Sequence, residues 1–190
     1  RFIISFNGEI YNFREIRNQL IDKGYKFKSE SDTEIIIAGM YYWEFEHLLD
    51  KLEGMFAFVI YDNLYNLLYG ARDRLGEKPF FYQFNDKNFV FASEIKSIKK
   101  TSIFGSEIDK DSLISQIANK TTKIPNTIYK NIKQLKPGHF FQLDINKNIF
   151  IIAWIAPVTL LFFSSIYLFP YSILHENLFL LRKTSVSSSS

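Results

Sequence analysis

Hydrophobic positions recur along the chain in two periods, and the places where the period changes mark out the elements. Phe2 to Phe6 (Phe-Ile-Ile-Ser-Phe) reads as a buried strand, and Asn7-Gly8 is a turn signal expected to end it. A helix fits Phe13 to Lys23, with Ile16 and Leu20 at helical spacing and Gly24 as its stop. Tyr25 to Lys28 alternates as a short strand. Ser31-Asp32-Thr33-Glu34 has the spacing of a capping box, in which serine and glutamate satisfy orphan amides of a first turn, and the apolar run it opens continues to about Trp43. Another short helix fits Phe45 to Leu52, before the Glu53-Gly54 break. Met55 to Tyr61 is nearly all apolar, as suits a strand covered on both faces. Asp62-Asn63 turns the chain, and Leu67 to Arg72 returns to the polar turn Asp73 to Pro79. Phe80 to Phe84 and Phe89 to Ala92 then pair as a hairpin across residues 85–88, and Ser93-Glu94 opens a short helix.

A strand, then helices, then a strand meander predicts an α+β fold with helices packed on an antiparallel sheet. The expected core is Phe6, Ile16, Leu20, Met55, Phe56, Phe58, Ile60, Leu68, Phe81 and Phe91. Beyond Thr101 the pattern weakens. Ile108 to Ile117 looks helical, and Thr121 to Leu143, with Pro125, Pro137 and Gly138, reads as a connector holding one strand, His139 to Leu143. The predicted organisation is therefore a compact unit over 1–99, a connector over 100–148 and a hydrophobic tail over 149–190.

Composition narrows the function classes. Of 190 residues, 47% are hydrophobic and 17% aromatic, which is ample for a packed core and argues against wholesale disorder. A formal charge of only +3, spread along the chain, leaves no basic footprint for nucleic acid. The absence of cysteine excludes disulfides and cysteine-ligated zinc within these residues. His47, His139 and His175 lie too far apart in sequence for a metal-site spacing, so no metal site is expected. The default compartment is the cytoplasm. Arg1 leads directly into a strand, with neither an initiator methionine nor a signal peptide, which suggests that the natural N-terminus lies upstream.

The sharpest chemical signal is Phe6-Asn7-Gly8-Glu9-Ile10-Tyr11-Asn12. On spacing alone an ordinary Asn-Gly turn accounts for it. The alternative is an oxyanion hole, in which an asparagine amide and the next backbone N–H converge on one developing negative oxygen. Such donors are worth about 3 kcal/mol each at the transition state. The heptapeptide resembles the Asn-Gly-Glu-Ile-Tyr-Asn motif of glutamine-hydrolysing asparagine synthetases. Four further segments resemble that family in the same order: Ser31-Asp32-Thr33-Glu34, Leu52-Glu53-Gly54-Met55-Phe56-Ala57-Phe58, the turn from Ala71 to Pro79 (Ala-Arg-Asp-Arg-Leu-Gly-Glu-Lys-Pro), and Phe91-Ala92-Ser93-Glu94-Ile95-Lys96. The likeness is strong from Arg1 to about Lys99. It is weaker but visible at Pro125 to Tyr129 and Leu135 to His139.

The resemblance implies an N-terminal-nucleophile hydrolase fold, an α/β/β/α sandwich of antiparallel sheets, incomplete at its N-terminus. It implies a class II glutamine amidotransferase domain that releases ammonia from glutamine. A further domain would use that ammonia, with ATP and Mg²⁺, to amidate aspartate. Carried over to this chain, Asn7 and Gly8 form the oxyanion hole, Asn7, Gly8 and Glu9 line the glutamine pocket as a loop, and Asp32 binds the α-ammonium of glutamine. For Asp32 the plainer reading is a first-turn acid favoured by the helix dipole. Arg72, Asp73, Arg74 and Lys78 read as a solvated or ion-paired turn rather than a substrate site, and the resemblance implies a structural or domain-interface part for it. The family's nucleophilic cysteine and its upstream carboxylate-binding arginine have no counterpart in the chain, so the chain as given is expected to be inactive. Relatives that amidate a different acceptor remain an alternative, and a homodimer is left open.

Ile149 to Leu174 carries no charged residue and is long enough to cross a bilayer, for which about 20 apolar residues suffice. A frameshifted tail or a membrane anchor both fit that run. The second would make the protein a non-catalytic, membrane-tethered remnant in contact with the bilayer through 149–174.

Overall fold

The computed structural model describes residues 1–85 and 88–155. Two antiparallel sheets and five helices make up this part. The large sheet has the order β1-β2-β3-β7-β8, from β1 (Phe2–Ile10), β2 (Gly54–Asp62), β3 (Leu67–Arg72), β7 (His139–Asp144) and β8 (Ile149–Trp154). The small sheet has the order β5-β4-β6, from β4 (Phe81–Asn85), β5 (Asn88–Ala92) and β6 (Lys133–Gln134).

Period-two alternation along β2 explains why the sheets stack. Phe56, Phe58 and Ile60 point to one face, where they join Ile16, Leu20, Ile35, Ile36, Leu48 and Leu49 from α1 (Phe13–Asp22), α2 (Asp32–Tyr42) and α3 (Phe45–Lys51). Each such side chain contributes about 1.5–3 kcal/mol on burial. Ala57 and Val59 point to the opposite face. There they meet Phe80, Tyr82, Leu135 and Phe141, the filling between the two sheets. The small sheet's outer face is covered by α4 (Ile95–Ile98) and the segment after it, where the buried Gln83 amide donates to the Ile103 carbonyl at 2.7 Å. The layers therefore run helix, sheet, sheet, helix. The last helix, α5 (Lys110–Asn119), buries only Ser112.

Ile16, Leu20, Phe56, Phe58 and Ile60 are fully buried as expected, whereas Phe6, Met55, Leu68, Phe81 and Phe91 are only half-buried. Phe6 is limited by its place on an edge strand, and Phe81 by lying on the small sheet's outer face. Four expectations about elements are corrected. Asn7-Gly8 does not end the first strand, because β1 stays in register with β2 as far as Ile10 opposite Gly54. Tyr25 to Lys28 forms no strand; the Tyr25 ring instead packs edge-on to Phe27 and Tyr42. Residues 100–148 are not a detached connector, since β6 pairs with β4, β7 pairs with β3, and Leu135 and Phe141 fill the inter-sheet core. Finally, the break placed before Ile149 falls too early. Ile149–Trp154 pairs with β7 along its whole length, and Phe150 packs against Tyr82, Phe84, Phe89 and Phe141. The compact unit runs from Arg1 to Ile155. Among the described residues no helix is long and apolar enough to cross a membrane, and the remainder of the 149–174 run lies outside them.

Candidate active site

Gly8 sits where β2 leaves no room for a side chain on β1. A methyl group on Gly8, which has φ +157°, would lie 2.1 Å from the Met55 carbonyl oxygen. On the other strand Gly54, at φ +151°, would place one 2.2 Å from the Glu9 carbonyl oxygen. No side chain fits either position. The two glycines lie diagonally across the ladder, Gly8 opposite Phe56 and Gly54 opposite Ile10, on either side of the Glu9–Met55 pair. Each leaves room for a carbonyl of that pair. Sequence reasoning read Gly54 only as part of a break after a helix; its place beside the Glu9–Met55 pair shows only in the register.

The direction of the backbone amides follows from two bonds. Tyr11 N–H donates to the Glu53 carbonyl at 2.7 Å, toward β2, whereas Ile10 N–H donates to Asp32 Oδ2 at 3.0 Å, away from it. Amides in an antiparallel strand alternate in direction, and the register through this stretch is continuous. Gly8 N–H accordingly also points away from β2, onto the same edge as Asp32. Two residues of strand separate these donors, a spacing of about 6.8 Å.

Asp32 is half-buried at the start of α2. Its neighbour Ser31 caps the helix by accepting from Thr33 N–H at 3.1 Å. The capping box is only half realised. Glu34 turns away from Ser31 and accepts from the backbone amides of Lys28 and Ser29 and from the Ser29 hydroxyl. That arrangement pins the irregular segment before α2 and so sets where Asp32 sits.

Asn7 lies on the face of β1 opposite Phe2, Ile4 and Phe6, which pack toward the helices. Its side-chain amide donates to Ser93 Oγ at 3.0 Å, a contact spanning 86 residues. Glu9 shares that face and is exposed. Tyr11 stands just beyond. Desolvation raises its hydroxyl pKa, and the negative charges of Glu77, Glu9 and Asp73 raise it further.

That turn is not the solvated or ion-paired loop expected for it. Arg72 and Asp73 are both buried and are satisfied by backbone. Arg72 donates to the carbonyls of Gly76, Lys78 and Leu135, and burial lowers its pKa. Asp73 accepts from the amides of Phe56, Leu75, Glu77 and Lys78. Arg74 reaches the carbonyls of Leu49 and Leu52 at the end of α3. The turn thus ties β2, the end of α3 and the segment that follows β6 together behind Gly8. A cavity of about 280 Å³, bordered by Arg1, Met40, Trp43, Phe45, Tyr69 and Gln142 among others, opens at the other end of the β1–β2 ladder and touches none of Asn7, Gly8, Glu9 or Asp32.

Comparison with known proteins fits this arrangement. The sequence profile of the family described as "Glutamine amidotransferase domain" matches residues 1–153. The chain belongs to that family. It is 39% identical over 139 residues to asparagine synthetase [glutamine-hydrolyzing] 3 of Bacillus subtilis, a match covering 73% of this chain and 22% of the relative. Asparagine synthetase [glutamine-hydrolyzing] 1 of the same organism is 40% identical over 142 residues, 74% of this chain and 22% of its own. The chain therefore spans about a fifth of the length of these curated relatives. Among solved structures, the glutamine phosphoribosylpyrophosphate amidotransferase of B. subtilis, complexed with ADP and GMP, superposes with a TM-score of 0.55 at 17% identity, covering 82% of this chain and 29% of that one. The fold is the α+β antiparallel sandwich of the N-terminal-nucleophile hydrolases.

Proposed function

We propose that residues 1–155 form the pocket side of a glutaminase domain, in which Gly8 N–H and the Asn7 amide receive the oxyanion formed when the side-chain amide of glutamine is attacked. Asp32 holds the α-ammonium of the same glutamine. One observation carries this reading: Gly8 N–H points off the same edge of β1 as Ile10 N–H, which donates to Asp32 Oδ2, and the two amides are about 6.8 Å apart along the strand. That spacing is comparable with the reach of glutamine from its α-amino nitrogen to its side-chain carbonyl oxygen. Glu9 borders the pocket on the inter-sheet side.

The 190 residues hold no cysteine, so attack on the carbonyl needs a thiol from outside them. An N-terminal cysteine suits the task because its α-amino group, with a pKa near 7.7–8.0, can serve as the base. Aspartate is the acceptor that the relatives' names point to, with ATP and Mg²⁺ supplying activation in the remainder of such a protein.

The test is ammonia release from glutamine by the purified chain and by a version extended at its N-terminus with a segment beginning in cysteine. The chain as given should release none and the extended version should turn over. In the latter, Asn7→Ala should lower kcat by about 10²–10³-fold, and Asp32→Ala should chiefly raise KM. Turnover by the unextended chain, or the opposite pattern in the two variants, would refute these roles.

A further inference from the structure

We propose that Ser93 is a positioning residue of this site: by accepting a hydrogen bond from the Asn7 side chain it fixes the direction in which the oxyanion donor points. The inference rests on the reading of Asn7 and Gly8 just given. It also accounts for the Phe91–Lys96 motif, to which the glutaminase reading assigns no role.

A side-chain donor stabilises a transition state only if it is already aimed when charge develops. Gly8 needs no help in this respect, because its N–H is part of the backbone, and the β1–β2 register fixes its direction away from β2. Asn7 is different. Its backbone is fixed opposite Ala57, but its amide can turn about two side-chain bonds, and Ala57 offers only a methyl group on that face. The bond to Ser93 Oγ at 3.0 Å removes that freedom. It uses one of the two amide N–H groups and leaves the second for a ligand oxygen.

For this to work, Ser93 must itself be fixed relative to the large sheet. It is the first residue after β5, whose last residue, Ala92, pairs with Phe81. β5 is held against the large sheet by Phe89, whose ring lies 5.1 Å from Phe141 and 5.6 Å from Phe150. Phe91 stacks on Phe80 at 5.9 Å. The aromatic filling between the sheets therefore sets the position of Ser93, and Ser93 sets the Asn7 amide. Ser93 has no competing duty as a helix cap: the residue at the α4 cap is Glu94, and that helix makes no side-chain cap bond.

The decisive measurement is the side-chain conformation of Asn7 in the isotope-labelled 190-residue chain, read from its χ1 couplings and its pair of amide proton resonances. The chain should show one rotamer, Ser93→Ala should show averaging among rotamers, and Ser93→Thr, which keeps the acceptor, should restore the single state. Backbone amide shifts of Phe56 and Ile60 report whether the sheet is intact in each variant. In the cysteine-extended version, Ser93→Ala should lower kcat about tenfold with KM changed less than twofold, the loss expected for one positioning hydrogen bond. Ser93→Thr should recover most of that loss. An Asn7 rotamer indifferent to Ser93→Ala overturns the proposal, and so does an averaged rotamer with unchanged kcat. An ordered Asn7 that depends on Ser93, in an extended chain that never turns over glutamine, leaves the coupling standing and defeats the glutaminase reading instead.

Discussion

The β1–β2 ladder has a buried carboxylate at each end, and the two are stabilised in different ways. At one end Asp62 is 1% exposed and is held by a single cation, the Arg1 guanidinium, through contacts of 2.8 and 3.1 Å. Arg1 is itself partly exposed, and the cavity beside it is open. At the other end Asp73, also 1% exposed, makes no ion pair among the described residues and accepts four backbone amides at 2.9–3.3 Å. A guanidinium on a long side chain can follow small movements of its partner. Four amides cannot, because each belongs to a separate stretch of backbone. The rigid arrangement lies behind Gly8, where strand spacing decides whether an N–H is correctly aimed. The adaptable one lies at the end without the candidate chemistry.

The largest expected effect is at the glycines that mark the rigid end. Gly8→Ala or Gly54→Ala puts a methyl group just over 2 Å from a carbonyl oxygen of the partner strand, and neither neighbour is a side chain that could move aside. Overpacking of this kind costs about 3 kcal/mol or more. Gly24→Ala is the control. It has φ +91° but nothing within 4 Å of the added methyl, so it should cost only about 1 kcal/mol, from backbone strain alone. Urea unfolding of the three variants measures the difference. Similar losses at all three would mean that strand spacing at Gly8 is not critical.

Next comes the amide cage. Asp73→Ala strands four N–H groups, at least one of them deep in β2, and should cost about 2–3 kcal/mol. Asp73→Asn keeps one acceptor oxygen and should cost about half as much. The sharper readout is local. Amide exchange at Phe56, Leu75, Glu77 and Lys78 should quicken in Asp73→Ala, while exchange near Asp62 stays slow. Uniform quickening along β2 would dissolve the distinction between the two ends.

Much of this was legible in the chain before any coordinates. The run from Met55 to Tyr61 is apolar on both faces because β2 is central and covered twice, by helices and by the second sheet. Ser31 and Asp32 announced the start of α2 within a residue. What stayed hidden depends on partners distant in sequence. Asn7-Gly8 has the composition of a turn but is strand because it pairs with Ala57 and Phe56, about 50 residues on, at a position where β2 leaves no room for a side chain on Gly8. Arg72 and Asp73 look like surface charges until the carbonyls and amides that surround them are known. Ile149–Trp154 reads as the start of a uniform apolar run, since only β7 and the aromatic filling distinguish a strand edge from a membrane segment. The Asn7–Ser93 bond joins two motifs that sequence could place in order but not in contact.

The smallest expected effect is at the adaptable end, and its sign can be worked out from the pairing. The Arg1 guanidinium, by hydrogen bonding to Asp62, holds its carboxyl below the usual carboxylate range, opposed by burial and aided by the Leu64 amide. A carboxyl whose pKa is lower in the folded chain binds fewer protons there than in the unfolded chain. Its stabilisation is therefore fully present above the unfolded pKa, near 3.9, and is lost as pH falls through the folded value. Because Arg1 is about a third exposed, solvent screens the pair and the contribution at pH 7 should be about 1 kcal/mol. Thermal unfolding of the protein and of Asp62→Asn should thus differ most near neutral pH and converge below pH 4. The remaining titrating groups are common to both proteins and cancel in the difference. Arg1→Met should behave otherwise, since it leaves a buried carboxylate without its cation. It should be the less stable variant at pH 7 and should recover relative to the parent as acid protonates Asp62. Stability curves for parent and Asp62→Asn that run parallel from pH 7 to pH 3 would show that the folded chain does not lower the Asp62 pKa and that the Arg1 pair contributes nothing to this end of the ladder.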